Sequence, residues 1–364
     1  MNFRFDHLNL ALTYKTRVKL LVIFQFVTAI SLSSIWNTAN AQDPQFSQYY
    51  AAPMFLNPGL VGLNQRGQVG INYRNQWPSI DASFETYSFY ASYNWEDVYS
   101  SAGIIVNTDR EGLAGLQSTN VGLQYAYQVG LNYNWTFRPG VEVSYYFRDI
   151  NFDQLTFGDQ FDQNGLVRST SAESFNTGLN ARFLDLSFGG ILFSKNVWLG
   201  SALHHVTEPN QSIAGGNAPL PKKFSIHGGY KILFSDISPR ASTPSKGRER
   251  SLTPSFNYKQ QGDYRQLDLG LYFTLEPILI GTWYRGLPIG GLENTKNAES
   301  VIFMVGMNKN DVTIGYSFDY TISDLGIASG GAHEISISYS FSLADPRKPP
   351  REVRELRCPV PFIF

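Results

Sequence analysis

The residues of this chain best suited to metal or acid–base chemistry are two adjacent pairs, His204-His205 and His333-Glu334. Imidazole titrates near neutral pH and ligates divalent metals, so the first pair invites a ligand or proton-shuttle reading. In a strand, however, neighbouring side chains point to opposite faces. That geometry keeps the two rings out of one ligand sphere and leaves them at a rim beside the 207–221 segment. His333-Glu334 is followed by Ser336 and Ile337, so it lacks the second histidine of H-E-x-x-H and carries no metalloprotease chemistry. No G-x-S-x-G frames a serine nucleophile. Gly215-Gly216 and Gly330-Gly331 do not open a helix with a following Lys-Ser/Thr, and read as turn glycines rather than phosphate cradles. Asp149, Asp153, Asp159, Asp162 and Glu173 lack EF-hand spacing and read as a solvated loop. The single cysteine, Cys358, excludes an intrachain disulfide and a multi-thiolate zinc cage. The expectation is a protein that is not an enzyme, with no catalytic residues, cofactor or metal.

The elements that position these residues begin with an address. Lys15, Arg17 and Lys19 precede an apolar run over 20–30, which trails into Ala39-Asn40-Ala41 before Gln42. A basic flank, an apolar stretch and an A-x-A site predict a secretory signal peptide over 1–41, cleaved between Ala41 and Gln42. Of the 364 residues only 16% are charged, against about 25% in a typical soluble domain, while 15% are aromatic. Lys+Arg 29 against Asp+Glu 30 leaves a net charge of -1, too little field to gather nucleic acid.

Beyond Gln42 the hydrophobic period is two. From Ile335 to Leu343 every odd position is large and apolar and Ser336, Ser338, Ser340 and Ser342 lie between, which gives a strand one greasy and one polar face. Val312, Ile314, Tyr316 and Phe318 repeat the pattern, as do Leu267, Leu269, Leu271 and Phe273; Tyr90, Ala126 and Tyr146 interrupt otherwise small or polar faces. Counting such runs predicts about fourteen strands, near 66–77, 83–95, 100–109, 116–129, 133–149, 184–194, 196–206, 222–234, 250–261, 263–276, 278–287, 299–308, 311–322 and 331–343.

Alternation alone does not say which face points outward. A soluble barrel fills its interior with bulky apolar side chains near eight strands, but near fourteen the lumen is too wide for that. Alternately short and long connections are the habit of an outer-membrane barrel. The reading is therefore an all-β transmembrane antiparallel barrel over 66–343 with a polar, water-filled or plugged lumen; two secreted β-sandwiches are the rival. Trp77, Trp95, Trp135, Trp198 and Trp283 at strand ends suit interfacial girdles. The lumen faces are expected to carry few charges beyond Arg74, Glu142, Arg148, Asp268 and Asp319. An even strand count puts both flanks, 42–65 and the Pro/Arg-rich 344–364, on the periplasmic side. A passive diffusion or uptake channel is the alternative function for such a fold.

The segment Asp43-Pro44-Gln45-Phe46-Ser47-Gln48-Tyr49, with Asn57-Pro58-Gly59, resembles the opening signature of the PorP/SprF family of outer-membrane proteins in the type IX secretion system. His333-Glu334 leading into the last strand, and Arg357-Cys358-Pro359, are similar to that family's C-terminal end. Gly59 stands where the family often has alanine. The resemblance implies a non-enzymatic barrel that aids secretion or surface attachment of a partner, such as a large gliding-motility adhesin with a C-terminal sorting domain. It also implies contacts of these signature residues with partners, among them periplasmic secretion-motor components.

Overall fold

The structure, a computed structural model, describes residues 43–64, 67–80, 83–112, 115–150, 158–162, 165–166, 180–213, 215–234, 249–286, 298–323, 326–342 and 358–361. The expected leader, with Ala39, Ala41 and Gln42, lies outside them, as does most of the 150–183 connection and of the 344–364 tail. Among the described residues fourteen long strands close into an antiparallel barrel. They are β1 Gly67–Gln76, β2 Phe84–Trp95, β3 Ser100–Glu111, β4 Leu116–Tyr127, β5 Trp135–Ile150, β6 Asn180–Phe193 and β7 Val197–His204. The ring continues through β8 Lys223–Tyr230, β9 Arg250–Gln261, β10 Tyr264–Leu275, β11 Ile278–Gly286, β12 Ala298–Lys309, β13 Val312–Thr321 and β14 Ala332–Phe341. Each pairs with its neighbour in sequence, and β1 pairs with β14 to complete the ring, with Ile71 opposite Ile337.

The alternation sorts the two faces cleanly. On β14 Ile337 is 50% exposed while Ser336 is 4% exposed, and Leu123, Leu184, Phe303 and Ile71 stand outward in the same way. Apolar exposure on this scale, all round a closed sheet, is the surface a bilayer covers. No described helix is long and apolar enough to cross a membrane; the strands do the crossing.

The lumen is filled by the chain's own N-terminal segment. The barrel topology read from the sequence leaves residues 43–64 on the short-turn side. Instead they run through the barrel, from Asp43 beside the ends of β7 and β9 to Asn64, which donates to Ser340 near the opposite rim at 3.3 Å. Proline opens both short helical turns of this plug, Pro53–Leu56 and Pro58–Leu60, where a missing N–H has no helical partner to lose. Asn57, extended between them, accepts the Gly59 N–H at 2.8 Å. Phe46, Tyr50, Met54, Leu60 and Val61 are each at most 2% exposed.

Apolar wall residues on the lumen side explain why a segment this greasy belongs there. Met54 and Val61 pack on Tyr90, Ile105 and Ala126; Tyr90 and Ala126, irregularities in the polar alternation, are contact points for the plug. Tyr49, Tyr50, Leu56 and Leu60 cluster with Phe193, Trp198, Tyr272 and Trp283. Trp198 and Trp283 are thus not girdle residues: both are 1% exposed inside the lumen, where plug aromatics replace lipid headgroups as their partner. Trp95, at 47%, does face outward. Cys358 and Val360, from the tail, are buried in the same cluster, so the tail's end also returns to the lumen rather than remaining wholly in the periplasm. Burial raises the Cys358 thiol to about 12 and leaves it protonated.

Candidate functional site in the plugged lumen

Polar groups hold the plug at three levels. The first is a charged socket around Ser47, Gln48 and Tyr49. Arg74 of β1 donates to Ser47 Oγ at 2.7 Å and to Asp319 of β13 at 2.9 Å. Arg285 of β11 bridges Asp319 at 3.0 Å and Ser47 Oγ at 3.0 Å. Glu334 of β14 accepts the backbone N–H groups of Ser47 at 2.6 Å and Gln48 at 3.1 Å. Tyr49 donates its hydroxyl to Asp268 of β10, which also accepts from Gln266 at 2.9 Å. A charge taken out of water is tolerable only when paired and hydrogen-bonded, and here Ser47, Gln48 and Tyr49 of the plug supply partners to the wall charges.

The second level is mid-lumen, where backbone meets backbone. The Asn57 amide donates to the carbonyls of Gly190 at 3.1 Å and Ser201 at 3.0 Å. A Cβ on Gly59 would stand 2.8 Å from the Arg138 carbonyl, closer than real Cβ atoms come, which accounts for glycine at this position. Arg138 caps the Val61 carbonyl at 2.6 Å and Gln124 caps that of Met54 at 2.6 Å.

The third level is a latch at the rim of the longer connections. His205 leaves the strand with φ 58, so it does not take the opposite face from His204; both are buried, with ring centroids 6.3 Å apart. The expectation of opposite faces fails because the left-handed turn rotates His205 inward. Its two nitrogens lie 2.8 Å from Asp185 and 2.8 Å from Asp43. Lys223 reaches the same Asp43 oxygen at 2.5 Å, and Gln261 brackets the residue, accepting its N–H at 3.0 Å and donating to Oδ1 at 3.0 Å.

Burial opposes charge at both ends of the latch, yet Asp43 and Asp185 raise the His205 imidazole to about 9. Despite its own burial, Asp43 is held well below the usual carboxylate range by His205 and Lys223. His205, raised in the fold, contributes stability that is complete below about 6.5 and is lost as pH rises through about 9. Asp43, depressed, contributes stability present above about 4 and lost only as pH falls through its lowered value. A spin label at Pro44→Cys, in a Cys358→Ser background, should therefore gain mobility between about pH 8 and pH 10. With His205→Gln it should be mobile throughout; a label equally immobile across that range in both proteins would refute the latch.

The sequence-identified residues are thereby placed. Asp43 and Ser47 to Tyr49 contact the wall as described, Pro44 lies between the latch and the socket, Gln45 donates to Glu299 at 3.0 Å, and Phe46 packs edge-on to Phe55 at 5.0 Å. Asn57, Pro58 and Gly59 form the mid-lumen approach. Glu334 points inward, while His333 lies 2.9 Å from the Tyr316 hydroxyl on the outer side. The lumen carries more charge than the expected Arg74, Glu142, Arg148, Asp268 and Asp319: Arg138, Asp185, Lys223, Lys259, Arg285 and Glu334 also line it. Alternation puts Glu334 in step with Ser336 on the inner face, but the plug partners of Glu334 and Arg285 lie far away in sequence and leave no local signature. Among the described residues no group of three His, Cys, Asp or Glu side chains converges as a metal ion would require.

No curated protein sequence matches the chain significantly. Solved barrels of similar fold include Omp33 of Acinetobacter baumannii, at 8% identity, TM-score 0.39, and coverage of 77% of this chain and 99% of that one. A Pseudomonas aeruginosa FadL homologue shows 11% identity, TM-score 0.40 and coverage of 79% and 93%. The P. putida toluene transporter TodX shows 11% identity, TM-score 0.41 and coverage of 79% and 93%. At such scores none of them bears on what this chain does. Residues 38–339 match the family described as type IX secretion system membrane protein PorP/SprF. A lipid-facing barrel matched over nearly its whole length is an outer-membrane protein, and the chain belongs to the PorP/SprF family of the type IX secretion system.

Proposed function

We propose that this barrel works as a non-enzymatic docking partner in the type IX system, aiding secretion or surface attachment of an exported protein, a large adhesin with a C-terminal sorting domain among the candidates. The observation that supports this reading over a diffusion channel is the plug: Phe46 to Leu63 occupy the lumen, and their polar groups are committed to the wall. A conduction path needs a continuous wet passage, whereas a platform needs only a rigid body with exposed loops. By the habit of outer-membrane barrels the longer connections face outward, among them the 205–222 loop, which Asn210 ties to Gly216 and Ala218.

Purified protein in planar bilayers should show no porin-like conductance. Replacing loop tip 212–217 with two glycines should leave a heat-modifiable barrel in the outer membrane and strip the partner from the cell surface. Steady conductance by the wild type together with unchanged display by the loop variant would favour the channel instead.

A further inference from the structure

The plug does more than fill space at one junction of the ring. Thirteen of the fourteen neighbouring strand pairs follow directly in sequence, and the pair β1–β14 alone joins the two ends of the barrel. Across that junction Arg74 and Glu334 are register partners, 3.4 Å apart and both buried. The contacts that complete them come from the plug. Ser47 Oγ accepts from Arg74 and donates to Asp319 at 2.6 Å. The N–H groups of Ser47 and Gln48 cap Glu334. The Gln48 side chain then follows the last hairpin: it donates to the Glu334 backbone carbonyl at 3.0 Å and to Ser317 at 3.4 Å, and accepts from Ser336 at 2.6 Å.

Two physical points give this placement weight. Without the plug, the wide lumen would admit water to Arg74 and Glu334, and the ordered contacts of Ser47 and Gln48 that tie β1 to the last hairpin would be lost. A segment bearing Phe46, Tyr49, Tyr50 and Met54, all within the lumen, also has a poor route into a ring already shut.

We propose that the N-terminal segment is an internal closure template: residues Ser47 and Gln48 bind the last hairpin and β1 together, so the barrel's seam closes around the plug and not before it. The inference rests on seam geometry and is independent of any role in secretion.

The test uses disulfides as reporters in a Cys358→Ser background. Ile71→Cys with Ile337→Cys reports the seam, and Phe89→Cys with Val106→Cys, register partners in β2 and β3, reports an ordinary hairpin. The double variant Ser47→Ala/Gln48→Ala keeps the plug's apolar residues and its backbone N–H groups but removes the side-chain bonds to Arg74, Asp319 and the last hairpin. It should lower the seam disulfide about tenfold in assembling outer membranes, the scale set by hydrogen bonds to a buried charge, with the hairpin disulfide unchanged. Deletion of 43–63 should abolish the seam disulfide, and a peptide of residues 43–64 supplied during refolding should restore it. Wild-type seam yield in both variants would overturn the proposal. So would loss of both disulfides in the deletion variant that the peptide fails to restore, since the segment would then serve the whole sheet rather than its seam.

Discussion

Replacing Arg285 with methionine should all but eliminate assembled barrel. Its guanidinium is fully buried, holds Asp319 at 3.0 Å, reaches Ser47 and Tyr49 at 3.0 and 3.3 Å, and lies 3.7 Å from Asp268. Methionine fills much of the volume but leaves Asp268 without its guanidinium and Asp319 with Arg74 alone. Removing one partner of a buried ion pair costs about 3–5 kcal/mol, because the remaining charge is stranded. The measurement is the fraction of heat-modifiable, protease-resistant protein in isolated outer membranes. Adding Asp268→Asn to Arg285→Met should recover part of that fraction, since it removes one stranded charge. If the single variant assembles like wild type, the socket does not hold the plug.

The second large effect is expected on the opposite face. Ile337 sits mid-strand in β14, outward, between Ile71 of β1 and Ile314 of β13. Ile337→Arg at the bilayer midplane should cost about 2–4 kcal/mol and deplete folded protein. Ile337→Leu keeps volume and polarity and should cost under about 1.5 kcal/mol. Equal behaviour of the two variants, read by heat-modifiable mobility in urea titrations, would mean that this face does not meet lipid.

That Ile337 is outward and Ser336 inward follows from alternation, because a pleated backbone turns successive side chains to opposite faces whatever the rest of the fold does. All fourteen strands are legible for the same reason, and so is the choice of a membrane barrel: the apolar faces are too many and the polar faces too small to pack a soluble interior. The opening from Asp43 to Tyr49 is distinctive enough to point to its family.

What alternation leaves open is the content of the lumen. Arg74 meets Glu334 across 260 positions and Arg285 meets Ser47 across 238, so neither pairing has a local signature. The periodicity marks Tyr90 and Ala126 as irregular without showing Met54 and Val61 against them. Trp198 and Trp283 look like interfacial anchors along their strands, and become plug contacts only once the ring has closed. His205 follows the same logic, since the strand rule separates it from His204 until a left-handed turn swings it between Asp43 and Asp185. The amino-acid sequence by itself determined the strands, their two faces and the bilayer that must surround them, because these depend on local geometry. Only the tertiary structure decided that the first segment of the barrel's own chain is threaded through it, because a buried charge is stable only beside partners that closure brings together.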